Sequence, residues 1–259
     1  MSEPVVAMAA SLAGRRALVT GASAGLGAHF ATLLAHHGVA LLWLAGRSAE
    51  RLGATAEACR AVGAARVEKL VLDVTDDASV QGGFARIAAG GGLDLLVNNA
   101  GLAETRAAIE TSAADFDRIL DTNLRGAWLC ATAAAHQMRE GGGDIVNIAS
   151  ILGLRVASGV APYAISKAGL VQMTRALALE WARYGIRVNA LAPGYIETDL
   201  NRDFFATDAG QAMIRRIPMR RLGRLEDLDA PFLLLAAGAS RYLSGCVLPV
   251  DGAHHVNSL

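Results

Sequence analysis

The chain is poor in cysteine, and its cysteines are scattered. Cys59, Cys130 and Cys246 are three in number, lie far apart and form no Cys-x-x-Cys pair or Cys/His cluster. An odd and dispersed set of this kind supports neither a disulfide framework nor a zinc site. We therefore predict buried free thiols, a reducing cytoplasmic location and no metal site.

The chain also has no excess of charge of either sign. Its 24 basic and 24 acidic residues cancel, and neither sign is gathered into a long tail. A general nucleic-acid binder or a protein of anionic membrane surfaces would need a strongly basic surface. We expect neither nucleic acid nor membrane as a partner, and small neutral substrates fit this composition better.

Signals for secretion or membrane insertion are missing as well. Residues 1–13 carry Glu3 and no basic segment, which argues against a signal peptide. The longest uncharged stretch, Phe30 to Gly46, contains His36, His37 and Gly38 in its middle. That stretch predicts a helix, a turn and a strand rather than a membrane span.

The 259 residues contain no internal repeat and no Pro/Ser-rich linker, so we predict a single domain over residues 1–259. Short apolar runs alternate with longer Ala-rich amphipathic segments, a pattern typical of a parallel sheet covered by helices on both faces. The predicted fold is α/β, a Rossmann-like, doubly wound, seven-stranded parallel sheet. The predicted strands are Ala17–Val19, Ala40–Leu44, Val67–Leu72, Leu93–Val97, Ile145–Ile148, Ile186–Leu191 and Cys246–Val250; the predicted helices include Ala28–Leu34, Ala49–Val62, Ser112–Arg139 and Pro162–Tyr184.

One long polar segment, residues 195–226, interrupts this alternation after the sixth strand. A long insertion at the carboxyl end of a strand is where a substrate lid would lie. We predict a lid there.

A glycine-rich turn, Thr20 to Gly27, connects the first strand to the first helix. Glycines at such a turn let backbone amides approach a pyrophosphate at a helix N-terminus. The turn predicts a dinucleotide site, although a tight strand-to-helix turn is the simpler alternative. The residues assigned to the cofactor here are Gly21, Ser23, Gly25, Leu26 and Gly27.

Tyr163 and Lys167 are spaced to share one face of a helix. An ammonium group beside a phenol favours the phenolate, so we predict that the pKa of Tyr163 falls from about 10 toward neutrality. Tyr163 would then exchange a proton with a carbonyl or carbinol oxygen. A lysine stem lying over an aromatic ring is the alternative interpretation.

These motifs, in this order, resemble those of the short-chain dehydrogenase/reductase family, and in particular its 3-oxoacyl reductase-like and carbonyl reductase-like members. The similarity runs from about Leu12 to Gly252 and includes Thr-Gly-x-x-x-Gly-x-Gly, Asn98-Asn99-Ala100-Gly101 and Tyr-x-x-x-Lys. It implies that Asp73 and Val74 flank the adenine and that Asn99, Ala100 and Gly101 line the cofactor cleft. Pro193 and Gly194 match the family segment after the sixth strand, in which Ile196 and Thr198 would hold the nicotinamide carboxamide.

The resemblance also implies four catalytic residues. Ser150, thirteen residues before Tyr163, would bond the substrate oxygen while Tyr163 delivers the proton. Lys167 would bind ribose hydroxyls and lower the Tyr163 pKa, and Asn123 would help to fix a water that leads from the lysine to solvent. Taken without the resemblance, Ser150 is a strand-end cap and Asn123 satisfies helix backbone.

The cofactor choice depends on the residues after the second strand, Leu44-Ala45-Gly46-Arg47-Ser48. No acid is present to bond the ribose hydroxyls of NAD, and Arg47 offers a planar fork suited to a 2′-phosphate. The prediction is NADPH, with NAD as the alternative. Ala24 stands where the family often has a second cation, and the length of the strand leaves the register of Arg47 open by about one position.

Two further groups of residues attract attention. Five arginines in the predicted lid would suit an acyl carrier or coenzyme A phosphates, or would pair with neighbouring acids in a solvated or subunit-facing helix; they are Arg215, Arg216, Arg220, Arg221 and Arg224. His254 and His255 have no third ligand at metal spacing. We expect the two histidines to pack the tail or an interface.

The sequence therefore predicts an NADPH-dependent reductase of a hydrophobic ketone, for example a 3-oxoacyl thioester or a β-keto ester, acting reversibly. The alternatives are an NAD-dependent secondary alcohol dehydrogenase and a dinucleotide-sensing protein without turnover. The substrate pocket would be built by the segments 103–109, 151–157 and 195–213. Apolar residues on several faces of the long helices, together with the family resemblance, predict a homotetramer or homodimer.

Overall fold

Seven parallel strands form one sheet in the order β3-β2-β1-β4-β5-β6-β7. The computed structural model describes residues 12–63, 66–198 and 201–257. The order reverses between β1 and β4, which makes the gap beyond their carboxyl ends the expected ligand crevice. The predicted doubly wound, Rossmann-like sheet is confirmed. Its strands are β1 (Arg16–Thr20), β2 (Leu41–Gly46), β3 (Val67–Val71), β4 (Leu95–Asn98), β5 (Gly143–Ile148), β6 (Ile186–Pro193) and β7 (Val247–Val250).

Nine α-helices accompany these strands in the described part of the chain. Several bounds differ from prediction: the first helix starts inside the glycine turn at Gly25, and the second starts only at Gly53. The helices are α1 (Gly25–His36), α2 (Gly53–Ala61), α3 (Asp77–Ala89), α4 (Ala113–Leu120), α5 (Gly126–Met138), α6 (Ala161–Trp181), α7 (Arg202–Ala206), α8 (Asp208–Ile214) and α9 (Asp229–Ala236).

The predicted single helix Ser112–Arg139 is wrong in one respect, because a π-helical turn at Asp121–Arg125 separates α4 from α5. Tertiary contacts hold this turn in place. Its Asn123 side chain bonds the backbone of Leu102, and the following Gly126 is packed so closely that a Cβ there would lie 2.8 Å from Val74. Hydrophobic periodicity alone does not record such contacts, so it predicts one continuous helix.

The sheet is covered on both faces, as its strand sequences require. Every residue of β2 except the last is buried, and β6 is buried along its whole length. One apolar cluster contains Trp43 and Phe84. The other contains Phe30 and Phe232, whose rings stack with centroids 4.3 Å apart. Burial on two faces explains why these strands are continuous apolar runs rather than alternating ones.

A buried ion triad ties the sheet together at the edge where the strands begin. The two carboxylate oxygens of Asp144, in β5, each lie 2.6 Å from an arginine nitrogen, one of Arg15 and one of Arg187. Arg187 also donates to the carbonyls of Ser240 and Leu243, both at 3.0 Å. The triad therefore joins the start of β1, β5 and β6 to the loop after α9.

The segment after β6, predicted to be a lid, contains α7 and α8 within the described residues. Ile196 and Gly223 form a parallel β-bridge, which fastens the start of the segment to its end. Asp199 and Leu200 lie outside the described residues. The role of residues 195–226 as a lid stays a prediction.

Within the described ranges, no helix has the length and apolar character needed to cross a membrane. No group of three or more His, Cys, Asp or Glu side chains suited to a metal ion occurs in the same part of the chain. The three cysteines are free; Cys59 and Cys130 are buried, whereas Cys246 is half-buried, so the prediction of buried thiols is wrong for Cys246.

Candidate active site

In the glycine turn after β1, backbone atoms pack directly against other backbone atoms, at the point where the strand order of the sheet reverses. A Cβ at Gly27 would lie 2.3 Å from the carbonyl oxygen of Gly21, and a Cβ at Gly21 would lie 2.9 Å from the Cα of Ala100. Gly21 also has φ +65°, in the left-handed region that side chains disfavour. Only glycine fits these two positions, and the first turn of α1 is thereby left close to the crevice.

Thr20 and Asn99 lock this turn to β4. The Thr20 hydroxyl accepts hydrogen bonds from the amides of Asn99 and Ala100, both at 3.0 Å. The Asn99 side chain donates to the carbonyls of Thr20 at 2.9 Å and Gly21 at 3.2 Å. Asn99, predicted to line the cofactor cleft, does so while its amide nitrogen holds the glycine turn.

The outer end of the crevice carries positive charge. Arg47, Ser48 and Arg51 follow β2 and line the crevice, and both arginines are exposed. Opposite them, the Asp73 carboxylate accepts from the amide and hydroxyl of Thr75 at 2.9 and 2.8 Å. The Thr75 amide, with the Arg47 charge as a smaller contribution, lowers the pKa of Asp73 below its usual range.

Ser150, Tyr163 and Lys167 meet at the inner end. Ser150 follows β5, is 8% exposed and is hydrogen-bonded to Tyr163. Its hydroxyl also accepts from the amide of Leu152 at 3.1 Å, which makes it a cap of the short turn Ile151–Gly153 as well. Lys167 is 5% exposed, and its Nζ donates to the carbonyl of Ile148 at 2.7 Å.

The protonation of this group differs from the sequence prediction. Burial raises the pKa of Tyr163 above 10, and the hydrogen bond from Ser150 only partly opposes that effect. Burial also lowers the pKa of Lys167 to about 8. The predicted fall of the Tyr163 pKa is therefore wrong, because desolvation of the phenolate outweighs a lysine whose Nζ lies 5.7 Å from the ring centroid and is bonded to Ile148.

Asn123 is 1% exposed, and both ends of its side-chain amide are engaged. Its Oδ1 accepts from the Leu102 amide at 2.8 Å; its Nδ2 donates to the Leu102 carbonyl at 2.9 Å and to the Ser166 hydroxyl at 3.0 Å. The side chain fixes the loop after β4 against α6. A role in a water relay stays a prediction.

The glycine turn, the two exposed arginines, Asp73, Asn99, Tyr163 and Lys167 line a crevice of about 490 Å³ at the carboxyl edge of the sheet. Its glycine turn, its exposed arginines and its inner tyrosine and lysine lie along one continuous surface. The predicted cofactor residues that line it are Gly21, Ser23, Gly25, Leu26, Gly27, Arg47, Asp73, Val74, Asn99, Ala100, Gly101, Tyr163, Lys167 and Thr198.

Comparison with known proteins agrees with this geometry. A family model described as enoyl-(acyl carrier protein) reductase matches residues 21–255. Gluconate 5-dehydrogenase of Gluconobacter oxydans is 37% identical over 245 residues, which cover 93% of this chain and 95% of that protein. The crystal structure of a short-chain type dehydrogenase/reductase from Mycobacterium marinum has a TM-score of 0.87 and 36% identity, with 94% of this chain and 96% of that chain covered.

The chain belongs to the short-chain dehydrogenase/reductase family. It is therefore an oxidoreductase that acts on CH–OH groups with a nicotinamide dinucleotide. A second neighbour, the structure of a gluconate 5-dehydrogenase from Burkholderia cenocepacia in complex with NADP and tartrate, has a TM-score of 0.89 and 34% identity and covers 95% of this chain and 97% of that one.

Three predicted cofactor residues of this short-chain dehydrogenase/reductase are not among those that line the crevice. Pro193 is buried at the end of β6, and a Cβ at Gly194 would lie 2.7 Å from the side chain of Asp251. Ile196 is 7% exposed and packs beside Gly223. Their direct contact with a cofactor stays a prediction.

Other residues of the site escaped sequence reasoning. In the sequence Thr20 is only the start of the glycine motif, and Arg51, four residues after Arg47, belongs to no motif. The Asn98 amide, expected only as part of a turn, bonds the Ala127 carbonyl at 3.1 Å and the side chain of Asn147 at 3.0 Å. A polar residue at the end of a buried strand was the available signal for Thr20 and Asn98, and the spacing from Arg47 was the available signal for Arg51.

The arginines of the predicted lid form structural contacts. Arg221 pairs with both carboxylate oxygens of Asp227, at 2.6 and 3.0 Å, and the Arg220 guanidinium donates to the carbonyl of Arg215. For Arg221 these bonds favour pairing with neighbouring acids over binding an acyl carrier. His255 pairs with Asp251 at 2.7 Å, whereas His254 is buried against Tyr195.

Proposed function

We propose that this enzyme reduces a ketone to a secondary alcohol with NADPH, reversibly. The observation that carries this proposal is the contact of Ser150 with Tyr163 at the inner end of a dinucleotide crevice. Because burial raises the pKa of Tyr163, the phenol is protonated at neutral pH. The protonated form is the one that donates to a carbonyl oxygen.

The residues of the crevice fit a dinucleotide. The close approach of Gly21 and Gly27 leaves backbone where side chains would otherwise fill the space over the first turn of α1. At the other end, Arg47 and Arg51 offer two guanidinium groups, and the acid between them in the chain, Glu50, is not among the residues that line the crevice. Two cations favour a 2′-phosphate over a free ribose hydroxyl, which supports NADP.

A bound NADPH supplies the hydride, and the side chains of this chain manage the proton. Ser150 donates to the substrate oxygen and orients it toward Tyr163. The Tyr163 hydroxyl gives its proton to that oxygen as the alcohol forms. The Lys167 ammonium, held by the Ile148 carbonyl, contributes a positive charge behind the phenolate that remains.

Two substrate classes remain within this proposal. Reduction of 3-oxoacyl thioesters or β-keto esters agrees with the apolar segments that are predicted around the substrate pocket. Oxidation of a small hydroxylated substrate is favoured by the relatives named for gluconate, and would make the enzyme a secondary alcohol dehydrogenase, in which NAD would be the alternative cofactor.

We also propose a homotetramer or homodimer. Trp128 on α5 is 47% exposed, and Ile165 and Leu179 on α6 are 50% and 83% exposed. Apolar residues this open on two neighbouring helices support association through these helices.

The direct test is Tyr163→Phe, which removes one hydroxyl. We expect kcat to fall by about 10²- to 10⁴-fold, the range for general acid catalysis, with ketones and alcohols alike. Binding of NADPH, followed by its fluorescence, should change less than about threefold. Tyr242→Phe is the matched control, because Tyr242 is fully exposed.

A Tyr163→Phe enzyme that kept more than about a tenth of kcat would refute the acid role. A wild-type protein that binds NADPH but turns over no ketone or alcohol would favour a dinucleotide sensor instead.

A further inference from the structure

Arg155, Tyr195 and His254 form a polar cluster outside the catalytic group. They come from three segments: the turn after β5, the start of the segment after β6, and the turn His254–Val256 near the C-terminus. The rings of Tyr195 and His254 lie 5.5 Å apart, and the Arg155 Nη1 donates to the carbonyl of His254. The three side chains therefore share one surface.

This cluster lies next to the reacting atoms. Burial raises the pKa of Tyr195, and the charge of Arg155 acts against that rise. Tyr195 in turn contributes to the raised pKa of Tyr163. Arg155 also belongs to the turn that Ser150 caps, since its amide donates to the Ile151 carbonyl at 2.9 Å.

The cluster has hydrogen-bonding capacity that the described residues do not use. A guanidinium has five N–H donors, and within the described ranges Arg155 has no carboxylate at ion-pair distance. The nearby Asp251 carboxylate accepts from His255 and from the Ala253 amide. His254 is 8% exposed, and its Nδ1 has no partner among the described residues. Buried polar groups of this kind are normally satisfied, so they point to a ligand.

The charge of the cluster suits an anion with a single charge. Burial, followed by the Arg155 charge, lowers the pKa of His254, so its imidazole is neutral at pH 7. The other cation that lowers the pKa of His254, Arg216, is exposed. One guanidinium flanked by a phenol and a neutral imidazole matches a planar carboxylate better than a phosphate dianion.

We propose that Arg155 binds a carboxylate of the substrate, with Tyr195 and His254 completing the subsite, so that the substrate is a hydroxy acid or the corresponding keto acid. This assignment rests on the proposed oxidoreductase function of the same site. The carboxylate docks on Arg155 and the Tyr195 hydroxyl lies beside the chain of the substrate, whose carbinol oxygen then reaches Ser150 and Tyr163.

The test compares gluconate with glucitol, an uncharged polyol of the same chain length, in wild type, Arg155→Met and Arg155→Lys. We expect Arg155→Met to raise KM for gluconate about 10- to 150-fold, as for loss of a hydrogen bond to a charged group, with kcat changed less than about threefold. For glucitol, kcat/KM should stay within about threefold of wild type. Arg155→Lys should restore part of the gluconate KM because it keeps the charge.

Arg175→Met is the matched control, because Arg175 is exposed and lies about 18 Å along α6 from Tyr163. A merely structural role for Arg155, as an anchor of the C-terminal turn, would alter gluconate and glucitol equally and would overturn the proposal. A second readout is the Kd of gluconate for Tyr163→Phe saturated with NADP, measured by calorimetry with and without Arg155→Met. Weaker binding with Arg155→Met supports the subsite, and no binding of gluconate to either protein overturns it.

The outcomes separate the two proposals. Gluconate binding that depends on Arg155, without turnover of any alcohol or ketone, would support the subsite and refute the proposed function. Turnover of glucitol and other neutral alcohols, with no effect of Arg155→Met on the kinetics with gluconate, would support the proposed function and refute the carboxylate subsite. If coenzyme A thioesters inhibited the enzyme more strongly than gluconate does, and Arg155→Met abolished that inhibition, Arg155 would bind a phosphate rather than a carboxylate. The proposal would then be overturned.

Discussion

Lys167 is a buried cation, and its burial makes the stability of the protein depend on pH. Its pKa is lowered from 10.5 to about 8 in the folded state. Between these two values the unfolded chain binds more protons than the folded one, so the free energy of unfolding rises with pH across about pH 8 to 10.5. Below pH 8 the buried ammonium destabilises the fold by up to about 3 kcal/mol.

We therefore expect Lys167→Met to raise the free energy of unfolding by about 1–3 kcal/mol at pH 7 while activity is lost. The gain should shrink as the pH rises from 8 to 10, because wild-type Lys167 becomes neutral there. Urea unfolding at pH 7, 8, 9 and 10 measures this difference. The chain has one other lysine, the exposed Lys69, and Lys69→Met should change little at any of these pH values. A Lys167→Met protein less stable than wild type at pH 7 would contradict the argument.

At the scale of residues, the sequence predicts which side chains form the candidate site better than it predicts their pKa values. Tyr163 and Lys167 could be singled out from their spacing on one helix face, and Ser150 from the resemblance to the short-chain dehydrogenase/reductase family. The direction of the Tyr163 pKa could not, since it depends on how deeply the ring is buried and on which acceptor the Lys167 ammonium meets. Arg155 and His254 are 99 residues apart, so nothing in the sequence indicated that they meet.

At the scale of elements, the proposed preference for NADP depends on the turn between β2 and α2. Arg47 and Arg51 both line the crevice because α2 begins only at Gly53, which leaves residues 47–51 as a largely exposed turn that ends at the buried Leu52. The Ser48 hydroxyl accepts from the Arg51 amide at 3.3 Å and shapes that turn. The sequence predicts that α2 begins at Ala49, which would place Arg51 inside the helix rather than in the turn.

We expect wild type to prefer NADPH to NADH strongly, and Arg47→Ala/Arg51→Ala to lose about 10- to 100-fold in kcat/KM for NADPH. The value for NADH should change less than about threefold, since NADH has no 2′-phosphate. Steady-state kinetics with both cofactors measures the preference, and Arg86→Ala on the exposed face of α3 is the control. Equal kcat/KM for NADPH and NADH in wild type would refute the assignment of NADPH as the preferred cofactor.

The break between α4 and α5 shows why element bounds are harder to predict than element types. The sequence from 112 to 139 has helical periodicity throughout, and the structure is helical throughout. The π turn exists because the Asn123 amide is bonded to Leu102 and Ser166, in segments distant along the chain. Local propensity contains no information about such bonds.

At the scale of the whole molecule, the candidate active site and the buried ion triad lie at opposite edges of the sheet. Ser150 follows the carboxyl end of β5, and Asp144 lies near its start, about 20 Å away at the rise of a β-strand. The number of strands and their parallel direction could be predicted from the alternating apolar runs. The ion triad could not, because Arg15, Asp144 and Arg187 are brought together only by the order of the strands.

Asp144→Asn should therefore destabilise the protein without changing its chemistry. The substitution leaves Arg15 and Arg187, whose side chains are 15% and 10% exposed, without their shared carboxylate. Removing one member of a buried ion network costs about 3–5 kcal/mol, because the remaining charges stay buried and unpaired. For a chain of this size that corresponds to a fall in Tm of roughly 6–20 °C.

The matched control is Asp94→Asn, one strand away at the same edge. Its partner Arg16 is 36% exposed and Asp94 is 30% exposed, so loss of this pair should cost no more than about 1 kcal/mol. Differential scanning calorimetry measures both variants, and kcat/KM measured well below either Tm should stay within about threefold of wild type. Equal destabilisation by the two substitutions would show that burial does not set the strength of these pairs. A large loss of activity in a folded Asp144→Asn protein would show instead that the two edges of the sheet are coupled, since the triad touches no residue of the crevice.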